Sequence, residues 1–360
     1  FHLKVRASAE LVGWGFKFYR ACTEKHVAQA APLLRDLHLA SRARYEAWAA
    51  QWGNRFDFVQ SGMLVLCRTE HGLEEEARVA KFARELGMPA NVLSAGDVAE
   101  IEPGIRTSVA GAVHFPLDAR LVPARLMSAL REETQRIGVQ LRHGVEVRDL
   151  RVDGARISAL ETSGGAIAAD EFVLCAGVWS SSLARKLGLS LPMQAGKGYS
   201  LTVEKPVQTM RTCAILSEAR AAVTPMDGTL RFGGTMEIIG NDESVDGRRV
   251  GGIVKSIGSY FPDMTPDVLA SATIRTGLRP CSPDGLPYIG RFARYANLSA
   301  ATGHAMMGVS LAPITGTLIA QVLSGEPTSI PIGALSPDRY ARPSVHATKE
   351  RRVATGTTMN

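Results

Sequence analysis

Apolar positions recur at helical spacing through the first fifty residues. Trp14, Phe18 and Ala21 fall every three or four positions, and Val27, Ala30, Ala31, Leu34 and Leu37 carry the pattern on towards Trp48. The spacing predicts helices across 8–50. Phe56 to Cys67 is predicted as a hairpin or strand pair, and Leu73 to Leu86 as a helix stopped by Gly87. Ser94-Ala95-Gly96-Asp97 opens a short helix ending at Pro103-Gly104. From Gly111 the pattern changes. A short strand, VHFP, precedes a helix from Pro123 to about Gln135, and short strands follow at 139–141, 144–152, 155–161 and 166–168. Asp153-Gly154 and Gly164-Gly165 supply the turns between them. DEFVLCAGVW (170–179) is an apolar strand running into a glycine turn, and Ser180–Ser182 cap the helix behind it. Residues 193–236 alternate apolar and polar, with turns at Asp227-Gly228 and Gly233-Gly234, which predicts an antiparallel sheet. Val245–Tyr260 reads as a helix, and Ala272–Leu278 and Asn297–Ala301 as strands. Strands mixed with helices on both sides of an antiparallel block predict two interleaved domains.

The stretch 301–316, ATGHAMMGVSLAPITG, lies in a segment without a charged side chain between Tyr295 and Gly325. It fits a membrane span, a buried helix, or a helix whose N-terminus points at a ligand. Ala305 to Leu323 is long enough to span. Ser310, Pro313, Thr315, Gly316, Thr317 and Gln321 interrupt it, and neither flank carries a basic cluster. A buried helix from near Gly308 to a stop at Ser324-Gly325 is the expectation.

Composition narrows the class. The 360 residues are 45% hydrophobic and 21% charged, enough for a sizeable core in two domains or one composite fold. The net charge of +6 is mild, and much of the excess falls on Arg339, Arg342, Lys349, Arg351 and Arg352, read as a solvated tail over 336–360. No nucleic-acid partner is expected from it. Cys22, Cys67, Cys175, Cys213 and Cys281 are widely spaced with no metal-ligand pattern, and their odd number favours a reducing compartment. No metal site is expected. The chain opens on Phe1 inside an amphipathic segment, so an N-terminally incomplete sequence is expected.

Three segments carry candidate chemistry. VLCAGVW ends an apolar strand in a glycine that lets backbone approach a ligand, though any strand–turn–helix has this form. In TGLRPCSPDGLPYIG, Arg279 closes a strand before two proline-locked turns; its planar fork suits a carboxylate, and a surface arginine packing its stem is the plainer alternative. Gly303 and Gly308 admit backbone N–H groups to a ligand at a helix N-terminus, where negative charge is favoured. His304 either touches that ligand or is a satisfied buried imidazole. No G-x-G-x-x-G, HExxH, G-x-S-x-G or Walker pattern is present, so hydrolase and metalloenzyme readings lack support.

Together GKGYSL (196–201), RFGGTMEIIG (231–240), TGLRPCSPDGLPYIGR (276–291), ATGHAMMGVSLAPITG and DEFVLCAGVWSSSLA resemble the FAD-dependent D-amino-acid dehydrogenases, within the D-amino-acid oxidase and glycine oxidase family. The similarity spans nearly all of residues 10–335. It implies an α/β plus α+β fold, with a Rossmann-like FAD-binding domain, lacking its N-terminal part, interleaved with an antiparallel-sheet substrate domain. The expected division is 1–111 and 191–274 for substrate, 112–190 and 275–335 for FAD, and 336–360 as a basic tail. By the same resemblance, Val147 contacts the adenine end of FAD and Ala176 and Gly177 form the second flavin turn. Gly303, His304, Ala305, Met306, Met307, Gly308, Val309 and Ser310 face the isoalloxazine. Arg279 matches the arginine that holds the substrate carboxylate. Met306 stands where glycine oxidase-like members carry a second arginine, which implies a more apolar pocket, and Tyr199 is placed at the pocket wall. The implied reaction is oxidative deamination of a D-amino acid by hydride transfer to FAD. The implied acceptor is a membrane quinone, met by a cytoplasmic chain at the inner membrane face. The oligomeric state is not legible. Rival readings are a secondary-amine oxidase of the sarcosine or D-hydroxyproline type, a flavin-free binding fragment or subunit, and the flavin half of a tRNA-modifying enzyme.

Overall fold

The computed structural model describes residues 2–3 and 8–341. Strand β1 (His2–Leu3) leads to helices α1 (Ala9–Ala21) and α2 (Glu24–Gln51). Thr23 starts α2 by accepting the His26 N–H at 3.2 Å. Then come β2 (Met63–Cys67), α3 (Glu70–Glu85), β3 (Asn91–Ser94), α4 (Ala95–Ile101) and β4 (Gly111–Phe115). Helix α5 (Pro123–Arg136) starts on proline, whose missing N–H costs nothing in a first turn. A meander follows: β5 (Val147–Asp153), β6 (Arg156–Thr162) and β7 (Gly165–Ala168). The expected strand at 139–141 does not form. β8 (Phe172–Leu174) passes through a tight turn at Gly177–Trp179 into α6 (Ser180–Lys186). Next are β9 (Gln194–Glu204), β10 (Cys213–Leu216), β11 (Ala221–Met226) and β12 (Thr229–Ile238). The chain closes with α7 (Gly247–Tyr260), α8 (Pro266–Ala270), β13 (Thr273–Cys281), β14 (Tyr288–Arg291), β15 (Leu298–Thr302) and α9 (Gly308–Ser324).

The largest sheet is ordered β13-β9-β12-β11-β10-β2-β4-β3, with β1 added alongside β12. A second sheet, β14-β15-β8, sets β15 parallel to β8, so both strands end on the same edge. Two expected domain borders fall inside strands of the large sheet. The 111/112 border lies within β4, which pairs with β2, and the 274/275 border lies within β13, which pairs with β9 throughout. Gly233 and Gly234 are not a turn either; both pair with β9 inside β12. The C-terminal expectation also changes. Arg339 is ion-paired to Asp284 at 2.8 Å, donates to the Leu286 and Pro287 carbonyls and stacks on Tyr288, while 342–360 lie outside the described residues.

Period-two burial organises the sheet. Tyr199, Leu201 and Val203 of β9 share a core with Leu230 and Phe232 of β12 and with Ile253 and Ile257 of α7. A separate core joins α2 to α9 through Ala30, Leu37, Leu311, Ile314 and Leu318. The segment Ala305–Ser324 is long and apolar enough to cross a membrane by length and composition. Its apolar face is instead packed on α2. Pro313 inside α9 has no N–H to give the Val309 carbonyl. The Tyr45 hydroxyl on α2 donates to that carbonyl at 2.7 Å, and Ser41 donates to the next, Ser310 O, at 2.5 Å. The first turn of α9 is thus fixed from outside.

Candidate active site

Strand β9 sets one half of the candidate site. Tyr199, Leu201 and Val203 face the α7 core, so Gly196, Gly198 and Ser200 face the other way. Arg279 on β13 is registered opposite Gly196. Its side chain lies across Gly198: a Cβ added there would sit 1.9 Å from Nη1 and 2.4 Å from Cζ. Only glycine leaves room for the guanidinium in this position. Nη1 donates to the Thr235 carbonyl at 3.4 Å, and no carboxylate among the described residues pairs with it. Burial lowers the Arg279 pKa from its ordinary value; Cys281 opposes the shift and the like charge of Arg231 adds to it. This cation is half-buried, rigidly framed and short of an anion.

The segment that supplies the Thr235 carbonyl is a β-bulge. Register shifts between Gly234 and Glu237, and Thr235 adopts φ 60°. Its Oγ1 is buried with no hydrogen-bond partner among the described residues. Glu237 anchors the far side of the bulge. It accepts from the Tyr199 hydroxyl at 2.8 Å, pairs with Arg249 at 2.9 Å and lies 3.8 Å from Lys197, whose Nζ donates to Ser244 O at 2.8 Å. This places Tyr199 differently from the sequence expectation. It is 2% exposed and points into the α7 core, because odd positions of β9 face away from Arg279. Tyr199 supports the sheet from behind and does not line the pocket.

The second half of the site sits on the shared edge of β8 and β15. Gly177 takes φ 54° and Gly303 φ 78°; a Cβ on Gly303 would meet Tyr288 at 2.7 Å. Thr302 Oγ1 donates to Gly177 O at 3.2 Å, and Ser180 Oγ donates to Thr302 Oγ1 at 3.2 Å, so the two turns are tied together. Ligands of open α/β sheets gather at such carboxyl ends. A bridge between Cys281 and His304 joins this edge to the strand of Arg279, two residues away. Helix α9 begins at Gly308 directly after a 3-10 turn at Ala305–Met307, and no side chain caps its first N–H groups. Apolar side chains stand unusually open beside it: Met306 is 71% exposed, Trp179 55% and Val309 46%. His304 does not join them. Its imidazole is turned inward against Thr315 Oγ1 at 3.0 Å, and burial lowers its pKa to about 4, so it is neutral. The buried-imidazole alternative describes its side chain, and only its backbone belongs to the loop.

Beside β8 opens a cleft of about 990 Å³. Val147 and Ala176 both line it, with Glu146, Cys175, Trp179 and Lys186. Gly177 and residues 303–310 adjoin it through Thr302 but do not line it. The structure therefore brings Val147, Ala176, Gly177 and the α9 entry loop around one sheet edge, with Arg279 on the neighbouring strand. The bulge at Thr235 and the Glu237 network lie outside the sequence expectations. Their only trace in the sequence is the Gly-Gly-Thr-Met-Glu run inside an alternating strand.

Residues 7–322 match the family described as DAO, FAD dependent oxidoreductase. A D-amino acid dehydrogenase of Bradyrhizobium diazoefficiens is 32% identical over 333 residues, covering 91% of this chain and 78% of the relative. One from Rhizobium rhizogenes is 30% identical, covering 94% and 82%. Among solved structures, glycine oxidase from Geobacillus kaustophilus superposes with a TM-score of 0.78 at 30% identity, covering 85% of this chain and 83% of the other. L-amino acid deaminase from Proteus vulgaris shares the fold, with a TM-score of 0.71 at 17% identity over 84% of this chain and 79% of the other.

Proposed function

This chain belongs to the DAO family of FAD dependent oxidoreductases, and within it we propose the oxidative deamination of D-amino acids to 2-oxo acids and ammonia. The observation that carries the reading is the Arg279 guanidinium, held across Gly198 with only a carbonyl as partner. A substrate carboxylate supplies the missing acceptor, in the bidentate geometry that arginine favours. Clamping it fixes the position of Cα, and that positioning is the protein's main contribution to rate.

The residues present fit the cofactor. The cleft at Val147 and Ala176 is large and mostly apolar, and the uncapped start of α9 offers N–H groups and a positive dipole end to a group that gains negative charge. The exposed Met306, Val309 and Trp179 give an aromatic ring system apolar surface to cover. When bound, FAD supplies the acceptor for the two electrons of the substrate Cα–H bond. The substrate amine reacts in its neutral form and becomes an imine, which takes up water and releases ammonia. Met306 forms part of the substrate wall in this reading, and its lack of charge favours side chains with apolar stems. The relatives' name, dehydrogenase, supports an acceptor other than O₂, and we assign a membrane quinone.

Arg279→Met tests the assignment. KM rises by roughly 100-fold or more, as loss of a charge-assisted pair requires, while bound flavin per chain stays unchanged. Unaltered KM removes Arg279 from the carboxylate role.

A further inference from the structure

Arg279 is not the only cation on its face of the sheet. Residues directly opposite in an antiparallel ladder share a face. Arg279 lies opposite Gly196, Arg275 opposite Ser200, and Arg231 on the other flank opposite Thr202. All three arginines therefore project on the side of Gly196, Gly198, Ser200 and Thr202. Among the described residues, neither the Arg231 nor the Arg275 guanidinium has a hydrogen-bond or ion-pair partner. Glu204 continues the same face, opposite Thr229, and pairs with neither. Beneath Arg279 and Arg231, β9 presents only Gly196, Gly198, Ser200 and Thr202 on this face.

A single α-carboxylate needs one arginine. The further cations repel Arg279, and the like charge of Arg231 is among the causes that lower its pKa. A second anion would offset that repulsion. We propose that the preferred substrate is a dicarboxylic D-amino acid, its α-carboxylate on Arg279 and its side-chain carboxylate on Arg231. Gly198, under the Arg279 guanidinium, and Thr202, opposite Arg231, are four residues apart, about 13 Å along the strand. One extended arginine side chain and a five-carbon dicarboxylate together close that span. Arg231 is the more exposed of the two arginines and Arg279 is half-buried, and burial lowers the pKa of both. Arg275, between them in register, adds to the positive field that draws in a substrate of net negative charge. The electrons and atoms follow the reaction above: the side-chain carboxylate is recognised and leaves unchanged.

The inference rests on the proposed D-amino acid oxidation, and two readouts on the FAD-loaded enzyme separate them. First, kcat/KM is compared for D-glutamate and D-glutamine, which are near-isosteric and differ in charge. The parent favours D-glutamate by about tenfold or more, and Arg231→Gln brings the ratio close to one by lowering the D-glutamate value. Second, calorimetry compares glutarate with butyrate as unreactive ligands. Glutarate binds about tenfold more tightly in the parent, and the difference vanishes in Arg231→Gln. Equal rates for the two D-amino acids, equal binding of the two acids, or a preference that survives Arg231→Gln overturns the second carboxylate. If no D-amino acid is oxidised, the parent reading fails, and the glutarate comparison still decides whether the face binds two anions. Arg231 is exposed and makes no ion pair with the described residues, so its substitution leaves the fold intact; the thermal midpoint checks this.

Discussion

Replacing Gly198 by alanine tests how closely the site is built. The change adds one methyl group, whose carbon would fall 1.9 Å from Arg279 Nη1 and 2.4 Å from Cζ and Nη2. No pair of atoms tolerates that approach, so one side must move. The obstructing atoms are the end of a flexible side chain, so the guanidinium swings away and the strand stays in place. The fold loses little, and the thermal midpoint shifts by no more than a few degrees. The substrate loses a charge-assisted contact, about 1.5–3 kcal/mol, which is roughly a 10- to 150-fold rise in KM with a smaller change in kcat. Steady-state kinetics with a D-amino acid and an artificial electron acceptor measures it. Gly277→Ala is the control: it lies opposite Gly198 in register, and its Cβ would meet nothing within 4 Å. A Gly198→Ala enzyme with the parent's KM would refute the placement of the carboxylate at Arg279.

Two further outcomes follow from buried groups. His304 has its pKa depressed to about 4 from 6.5, so the unfolded chain binds more protons between those values. Its contribution is full above pH 6.5 and is lost as pH falls towards 4, by up to about 3 kcal/mol. Denaturant unfolding at about pH 7.5 and 4.5, on either side of most of that window, should show a smaller acid loss in His304→Gln than in the parent. Tyr199→Phe should cost about 1–2 kcal/mol in the same assay, since Glu237 loses a buried donor, while KM stays within about twofold. A large KM change in Tyr199→Phe would return that residue to the pocket wall.

The sequence is most informative where chemistry and local pattern coincide. The uncharged run behind Gly308 and the proline-framed Arg279 are both visible in it, and the structure brings both to the candidate site. Tyr199 is misplaced by sequence reasoning because a strand's two faces differ by one residue, and nothing local says which face meets the substrate. His304 stays ambiguous because its partner, Thr315, lies eleven residues on, inside the helix. The bulge at Thr235 is hidden because a glycine pair inside a strand looks like a turn until its partners are known. Arg339 looks like part of a basic tail because its partner, Asp284, is 55 residues away.

The most direct test of the central claim is the absorption spectrum of the purified chain loaded with FAD, recorded without oxygen before and after each enantiomer of an amino acid. Bound flavin is expected, with visible bands that bleach with the D-enantiomer and persist with the L-enantiomer. Retained flavin that no D-amino acid bleaches, or bleaching by the L-enantiomer alone, would contradict it.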